Sequence, residues 1–428
     1  MYSECHHCRA CGKELPTTDI LSLGTHQVVD FPLVGESSSR PEVPLILVRC
    51  VECSLVQLRH TVAPDTLFST FWYRSGINQQ MRAALSDVVR YALARVSLTS
   101  EEAVLDIGCN DGTLLSLYDT SDPPYRVGID PAALSYDAMS CADAILHEYF
   151  NADLVLGIRP DGYAIITAIA MFYDLDQPAV FLADIRRCLT QEGVCIVQMN
   201  DLVGMVGHNA VDNIAHEHLC YYTLTSLEKL VARVGLEIVD AETNLVNGGS
   251  LRVALVRSDR PSAPWMREGR LRVRDLLLSE RASGFWTDAA LLAWMHRLSQ
   301  IRRLLNMELG RTPSPVWLCG ASSRGSTLVQ WLMADSDFPR GVFHGASERD
   351  VHKFGRQTAR PHLPIVSEGM ARQRAMTFFI LPWHFWPTIA QREAQWIEAG
   401  GTCLVPLPWP TRITAQGSTP LFKAEILP

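Results

Sequence analysis

The chain has 428 residues, 47% hydrophobic and 20% charged, the balance of a globular protein too long for one ordinary core, so two or three domains are expected. Its 38 basic residues against 46 acidic ones leave a net charge of −8, which opposes nonspecific nucleic-acid binding but allows an anionic small molecule held by local arginines. No apolar run is long enough to span a bilayer, and Met1-Tyr2-Ser3-Glu4-Cys5-His6-His7 lacks the basic and apolar parts of a signal peptide, so the expected location is cytoplasmic.

Residues 1–68 are rich in cysteine, proline and turn formers, with little helical periodicity, and a block of that kind needs a staple. Two CxxC knuckles supply it: Cys8-Arg9-Ala10-Cys11 and Cys50-Val51-Glu52-Cys53. Each knuckle presents two thiolates from one tight turn, and four thiolates close a tetrahedral Zn2+ site. Such a site is structural, because no position is left for water or substrate. Cys5, His6 and His7 are competing ligands by position, and the scattered cysteines read as small core hydrophobes.

Residues 69–260 open with a helix over 81–96, in which Met81, Leu85, Val88, Val89 and Leu93 form one stripe. Strands follow at 103–107, 126–129, 163–168 and 193–198, with the start of a helix at 113–118 and a longer helix at 179–188. This alternation predicts a parallel sheet with helices on both faces. The first strand runs into a turn where Gly108 and Gly112 let the backbone approach a ligand. Asp130 ends the second strand, where a carboxylate accepts both ribose hydroxyls of a nucleoside. Cys109-Asn110-Asp111 replaces the second glycine of a dinucleotide fingerprint, which opposes a pyrophosphate and favours S-adenosylmethionine. Asp106, Gly108, Asn110, Asp111 and Asp130 are the candidate cofactor residues.

The segment Asp212-Asn213-Ile214-Ala215-His216-Glu217-His218 precedes a helix at 225–234. Read as extended, it points His216 and His218 to one face and Glu217 to the other. An imidazole, with an unperturbed pKa of about 6.5, suits proton removal at neutral pH. A pair of hydrogen-bonded structural histidines is the alternative, and a metal site lacks a third ligand. Asn247-Gly248-Gly249-Ser250-Leu251-Arg252 reads as a turn entering a strand, either a ligand contact or a plain hairpin. Residues 261–312, dominated by Arg and Leu, read as connecting helices with solvated arginine faces. Residues 313–428 form a second alternating block, in which Gly320-Ala321-Ser322-Ser323-Arg324-Gly325 follows a strand and opens a helix. That is a place for phosphate, with Arg324 adding charge, or a structural turn alone.

These motifs, with Phe71-Trp72-Tyr73-Arg74-Ser75-Gly76 and Arg126-Val127-Gly128-Ile129-Asp130-Pro131 between them, run in one order along nearly the whole chain. In that order they resemble the three-part, zinc-containing methyltransferases of nucleotide deoxysugar biosynthesis, which methylate C-3 of nucleotide-linked 4-keto hexoses. The resemblance implies an α/β fold in three parts. These are an N-terminal zinc module, a central class I methyltransferase domain of Rossmann-like form, and a C-terminal Rossmann-like domain that helps hold a nucleotide sugar. It also implies a catalytic tyrosine at Tyr73 and a Glu-His pair at Glu217 and His218, with His218 the base. Tyr222, Asn247, Ser323 and Arg324 are the candidate substrate contacts. The chain departs from the family pattern at Ala215, where a tyrosine is usual, at Tyr173, where a histidine is usual, and at Gln198, often a strand-end carboxylate.

The expected activity is therefore S-adenosylmethionine-dependent C-methylation of a nucleotide-linked keto-deoxysugar. His218, oriented by Glu217 or His216, removes the proton beside the ketone, and Tyr73 or a nearby donor steadies the enolate oxygen. An O- or N-methyltransferase of a sugar or other small metabolite is the alternative. A non-catalytic nucleotide-sugar-binding protein is a third reading. The expected partner is a small molecule, with neither nucleic acid nor membrane.

Overall fold

The computed structural model describes residues 2–68, 73–118 and 122–422; Phe71 and Trp72 of the 71–76 motif lie outside them. The N-terminal block is built on antiparallel strands β1 (Leu21–Gln27), β2 (Glu42–Arg49) and β3 (Val56–Leu58). Val43, Leu45 and Leu47 alternate along β2 and are all buried, the pattern of a sheet with one covered face.

Helix α1 (Gln79–Leu93) begins at Asn78, whose side chain accepts from the Gln80 N–H, and it buries Met81, Leu85, Val88 and Val89. Strands β4 (Ala103–Ile107), β5 (Tyr125–Ile129), β6 (Ala144–Leu146), β7 (Tyr163–Ile169) and β8 (Leu189–Met199) then pair in parallel, with helix α2 (Pro178–Cys188) before β8. Every residue of β4 is buried, since Val104 packs on the α1 side while Leu105 and Ile107 pack with Leu182 and Ile185 of α2.

The chain next leaves this sheet to make β9 (Cys220–Tyr221) and helix α3 (Leu224–Arg233). It returns as β10 (Leu236–Asn244) and β11 (Ser250–Arg257), giving the order β10-β11-β8-β7-β4-β5-β6 with β11 antiparallel to both neighbours. Strand β9 belongs elsewhere. It pairs antiparallel with β3 of the N-terminal block, Cys220 opposite Gln57 and Tyr221 opposite Val56, and so becomes an outer strand of that sheet.

Two of the local expectations differ from what is found. The edge strand β6 is absent from the sequence reading, because three half-buried residues give no alternation to detect. The helix start expected at 113–118 is a single 3-10 turn, Leu115–Leu117.

Helices α4 (Pro264–Ser283) and α5 (Asp288–Leu309) form the connection, and they are anchored rather than merely solvated. The buried Glu280 carboxylate on α4 accepts from the N–H groups of Leu224 (2.5 Å) and Thr225 (2.9 Å), which satisfies donors at the start of α3. The last block contains β12 (Val316–Cys319), helix α6 (Ser323–Met333), β13 (Phe343–Glu348), β14 (Ile365–Ser367), β15 (Thr377–Ile380), β16 (Thr402–Val405), β17 (Thr411–Thr414) and β18 (Gly417–Pro420). Its order is β14-β13-β12-β15-β16-β17-β18, parallel through β16. The three-part α/β layout is therefore present, and among the described residues no helix is long and apolar enough to cross a membrane.

Candidate functional site

The turn after β4 makes a cradle. Asp106 is buried, accepts from the Thr167 hydroxyl at 2.6 Å, and has its pKa raised to about 7, chiefly by burial. Gly108 has φ +73°, and a Cβ there would meet the Met171 side chain at 3.2 Å, so the position needs glycine. Asp130 accepts from the N–H of Asn110 through one oxygen (2.9 Å) and from the N–H of Ala132 through the other (2.8 Å). Asn110 and Asp111 face the chain that precedes α1. Asn110 accepts from the Ser75 N–H and donates to the Tyr73 carbonyl, and Asp111 accepts from the Gly76 N–H. Gly112 plays a different part from the one expected. Its neighbour at a would-be Cβ is Ala138 Cα at 2.8 Å, so the close approach is to the protein's own chain.

The His-Glu-His segment is a turn, not an extended strand, with the His218 N–H donating to the Ala215 carbonyl at 3.0 Å. This corrects the expectation that His216 and His218 share a face. His216 turns to the N-terminal block and bonds the Val43 carbonyl on β2 at 3.0 Å. His218 turns the other way and bonds the Asn213 carbonyl through Nδ1 at 2.7 Å. A carbonyl only accepts, so Nδ1 carries the proton and Nε2 keeps its lone pair. Burial lowers the His218 pKa first, and Glu217 opposes that, so the ring is neutral at pH 7.

A polar cluster surrounds this imidazole. The Tyr173 ring stands 4.4 Å from it, edge to face. Asp174 is raised well above the usual carboxylate range by burial and by Glu217, and its Oδ1 is buried without a partner. Asp212 Oδ1, both side-chain polar atoms of Asn213, the Tyr221 hydroxyl and His384 Nδ1 are likewise buried and unpartnered. Buried polar atoms are normally satisfied, so the orphans in this turn and in the segments beside it are places where a polar ligand or water fits. Tyr73 is 45% exposed, and desolvation and then Asp111 push its phenol up.

The third wall comes from the last block. Arg324 binds Asp212 Oδ2 through Nε (2.9 Å) and Nη2 (2.6 Å), and the Asn247 carbonyl through Nη1 (2.8 Å). The Trp383 indole N–H donates to the same Asp212 oxygen at 3.1 Å. Asn247 and Gly248 have positive φ, and a Cβ on Gly248 would lie 2.7 Å from the Trp383 ring, so the turn is shaped to this neighbour. Ser323 sits in the first turn of α6, where Ser322 caps the helix and the Ala321 N–H is already taken by Glu348 at 3.0 Å. Tyr221 and Tyr222 are both buried with unpartnered hydroxyls, and burial raises each phenol first, followed by Glu217 for Tyr221 and by Cys220 for Tyr222. Sequence reasoning missed Tyr221, Asp174, Trp383 and His384. The last two follow β15, which adjoins β12 where the strand order reverses, and that is the signal that finds them.

The four expected cysteines converge, with every pair of sulfurs within 4.8 Å and both Cys8–Cys53 and Cys11–Cys50 at 3.5 Å. A tetrahedron with Zn–S bonds of about 2.3 Å has sulfurs about 3.8 Å apart, so the set fits zinc. All four are free cysteines, with no disulfide among them, so each sulfur is available to a metal as thiolate. Cys5 instead donates to the His7 carbonyl.

Three family models tile the chain: "Putative zinc binding domain" over residues 8–68, "Methyltransferase domain" over 77–241 and "C-methyltransferase C-terminal domain" over 245–408. The chain is similar to the C-methyltransferase NovU of Streptomyces niveus, 28% identical over 424 residues that cover 96% of this chain and 97% of that one. Among solved structures it is similar to the magnesium protoporphyrin IX methyltransferase of Synechocystis PCC 6803, at 12% identity and TM-score 0.34 over 42% of this chain and 88% of that one. A Haloferax volcanii putative methyltransferase complexed with the Trm112 activator gives 15% identity and TM-score 0.33 over 42% and 95%. At those scores the two structures carry no functional weight. S-adenosylmethionine and zinc are the cofactors.

Proposed function

The chain belongs to the zinc-binding, three-part C-methyltransferases, and from that premise we propose that its acceptor is a nucleotide-linked keto-deoxysugar, methylated on the carbon beside the ketone through an enolate. The observation that carries the reading is His218. It is half-buried and neutral, its Nδ1–H is held by the Asn213 carbonyl, and no described residue bonds its Nε2. A carbon acid needs such a base, because only the enolate is nucleophilic.

In this reading Nε2 takes the α-proton. Glu217, beside it, stabilises the imidazolium that results. Tyr73 or Tyr173 donates to the oxygen on which charge develops, with both phenols kept protonated by burial. Asp106, Gly108, Asn110, Asp111 and Asp130 hold S-adenosylmethionine, which supplies an electrophilic methyl group when bound. Asn247, Ser323 and Arg324 line the side from which the nucleotide enters. Arg324 acts there mainly by holding Asp212, since three of its donors are committed to the protein. The zinc knuckles hold structure and do no chemistry.

The test is incubation in deuterated water with a panel of nucleotide 4-keto-6-deoxy sugars, read by mass spectrometry and NMR. A methyl on carbon is expected, with solvent deuterium entering the α-position when S-adenosylhomocysteine replaces the donor. A methyl on oxygen or nitrogen would overturn the enolate route.

A further inference from the structure

His216 looks like half of a catalytic pair, yet it faces away from His218 and onto the zinc module. Three links tie the turn between them to that module. His216 bonds the Val43 carbonyl on β2. The Leu58 N–H on β3 donates to the Leu219 carbonyl at 2.9 Å, one residue past His218. Strand β9 then pairs with β3, which starts three residues after Cys53. A fourth link runs from the first knuckle. Arg9, between Cys8 and Cys11, donates to Asp176 (2.9 Å), Gln57 (3.1 Å), the Leu58 carbonyl (2.5 Å) and Thr61 (2.7 Å). Asp176 closes the segment that carries Tyr173 and Asp174, so both walls of the cluster around His218 lean on the metal module.

The two imidazoles also carry their protons on opposite nitrogens. His216 donates through Nε2 and His218 through Nδ1, each fixed by a carbonyl that cannot donate. The His218 arrangement, with Nε2 free, is the one a base needs. It depends on the Asn213 carbonyl lying 2.7 Å from Nδ1, five residues back across the turn. A turn this short keeps such a contact only while both its ends are held.

We infer that His216 is a positioning residue: it pins the catalytic turn to the zinc-stapled sheet, and metal loading of the knuckles thereby sets the tautomer and place of His218. This rests on the reading of His218 as base for its functional meaning, but not for its test.

The test uses the full-length zinc-loaded protein with S-adenosylhomocysteine bound, 15N-labelled at histidine, with the ring tautomers read by two-bond 1H–15N NMR. Wild type should show His218 as the Nδ1–H tautomer and His216 as Nε2–H. In His216→Leu the His218 signal should lose its single-tautomer pattern, while calorimetry finds S-adenosylhomocysteine affinity within about twofold of wild type. His216→Gln places an amide donor near the position of Nε2 and should restore the pattern. Stripping zinc with a chelator, checked by metal analysis, should produce the same loss as His216→Leu. An unchanged His218 tautomer in either His216→Leu or the zinc-free protein overturns the inference. So does loss of the pattern in His216→Gln to the same degree as in His216→Leu. If His216→Leu does not fold, chelation of the wild type and the Gln variant still decide. None of these readouts needs an acceptor, so failure of the keto-sugar reading would be seen separately, as absence of C-methyl product.

Discussion

At the scale of single residues, the proposed base is tested at His218 Nε2, which no described residue bonds. Replacement by Asn keeps a donor near Nδ1 for the Asn213 carbonyl and removes the base. Turnover should fall by about 10²–10⁴-fold while S-adenosylhomocysteine affinity, read by calorimetry, stays within about twofold. A fall of less than tenfold would remove His218 from the role. Acid stability offers a second residue-scale check. His26 is buried on β1, and burial, then His216, lowers it to about 4. The unfolded imidazole protonates first, near about 6.5, so in the window from about 6.5 to about 4 the unfolded state binds more protons and stability falls as pH falls. The buried Asp106 has the opposite sign. It is raised to about 7, so it favours the folded state at low pH and gives that contribution up as pH rises through this value. His26→Gln removes only the first effect. Its urea midpoint should therefore fall less steeply than that of wild type between pH 6.5 and 4; parallel slopes would show that His26 titrates normally.

Elements show what the sequence could and could not reveal. Strand β4 was legible because a run of apolar residues ends in a glycine turn, and α1 because its stripe repeats at helical spacing. The four zinc ligands were legible because a knuckle is a local object. The two-residue β9 was not, since its meaning lies in a partner strand more than 160 residues earlier and no local periodicity records that. The same holds for the His-Glu-His turn: its residue types announced proton chemistry, but which imidazole is free depends on the carbonyls of Val43 and Asn213. One element contact makes a quantitative prediction. Helix α4 lies so close to β10 that a Cβ on Gly269 would come 2.2 Å from the Val239 carbonyl and 2.9 Å from Asp240 Cβ. Alanine normally stabilises a helix interior by about 1 kcal/mol over glycine. Here Gly269→Ala should instead destabilise, by roughly 1–3 kcal/mol, because the helix must lift from a backbone oxygen. Chemical denaturation followed by tryptophan fluorescence measures it, and an unchanged or raised midpoint would show that α4 sits further out.

For the whole molecule, the question is what holds the last block over the His-Glu-His turn, because Arg324 and Trp383 of that block meet Asp212 there. One buried tie is Arg324 on Asp212, with the carboxylate 1% and the guanidinium 17% exposed as side chains. Arg324→Ala would leave a buried carboxylate with only the Trp383 N–H and one already orphaned oxygen. Breaking a buried pair from one side costs about 3–5 kcal/mol, most of it the penalty of the stranded charge. The variant should therefore release the last block. Small-angle scattering should give a larger radius of gyration, and amide exchange should quicken at residues 246–249 and 383–385. The affinity for S-adenosylhomocysteine, whose proposed site lies at residues 106–130, should remain. Asp212→Asn in the same chain removes the stranded charge without restoring the bond. Amide exchange in the double variant should accordingly move back towards wild type, though not reach it. If Arg324→Ala keeps wild-type scattering and exchange, the blocks are held instead by the zinc module, which touches the last block through the paired amide of Gln330 with Gln27 and the Gln357 N–H on the Pro32 carbonyl.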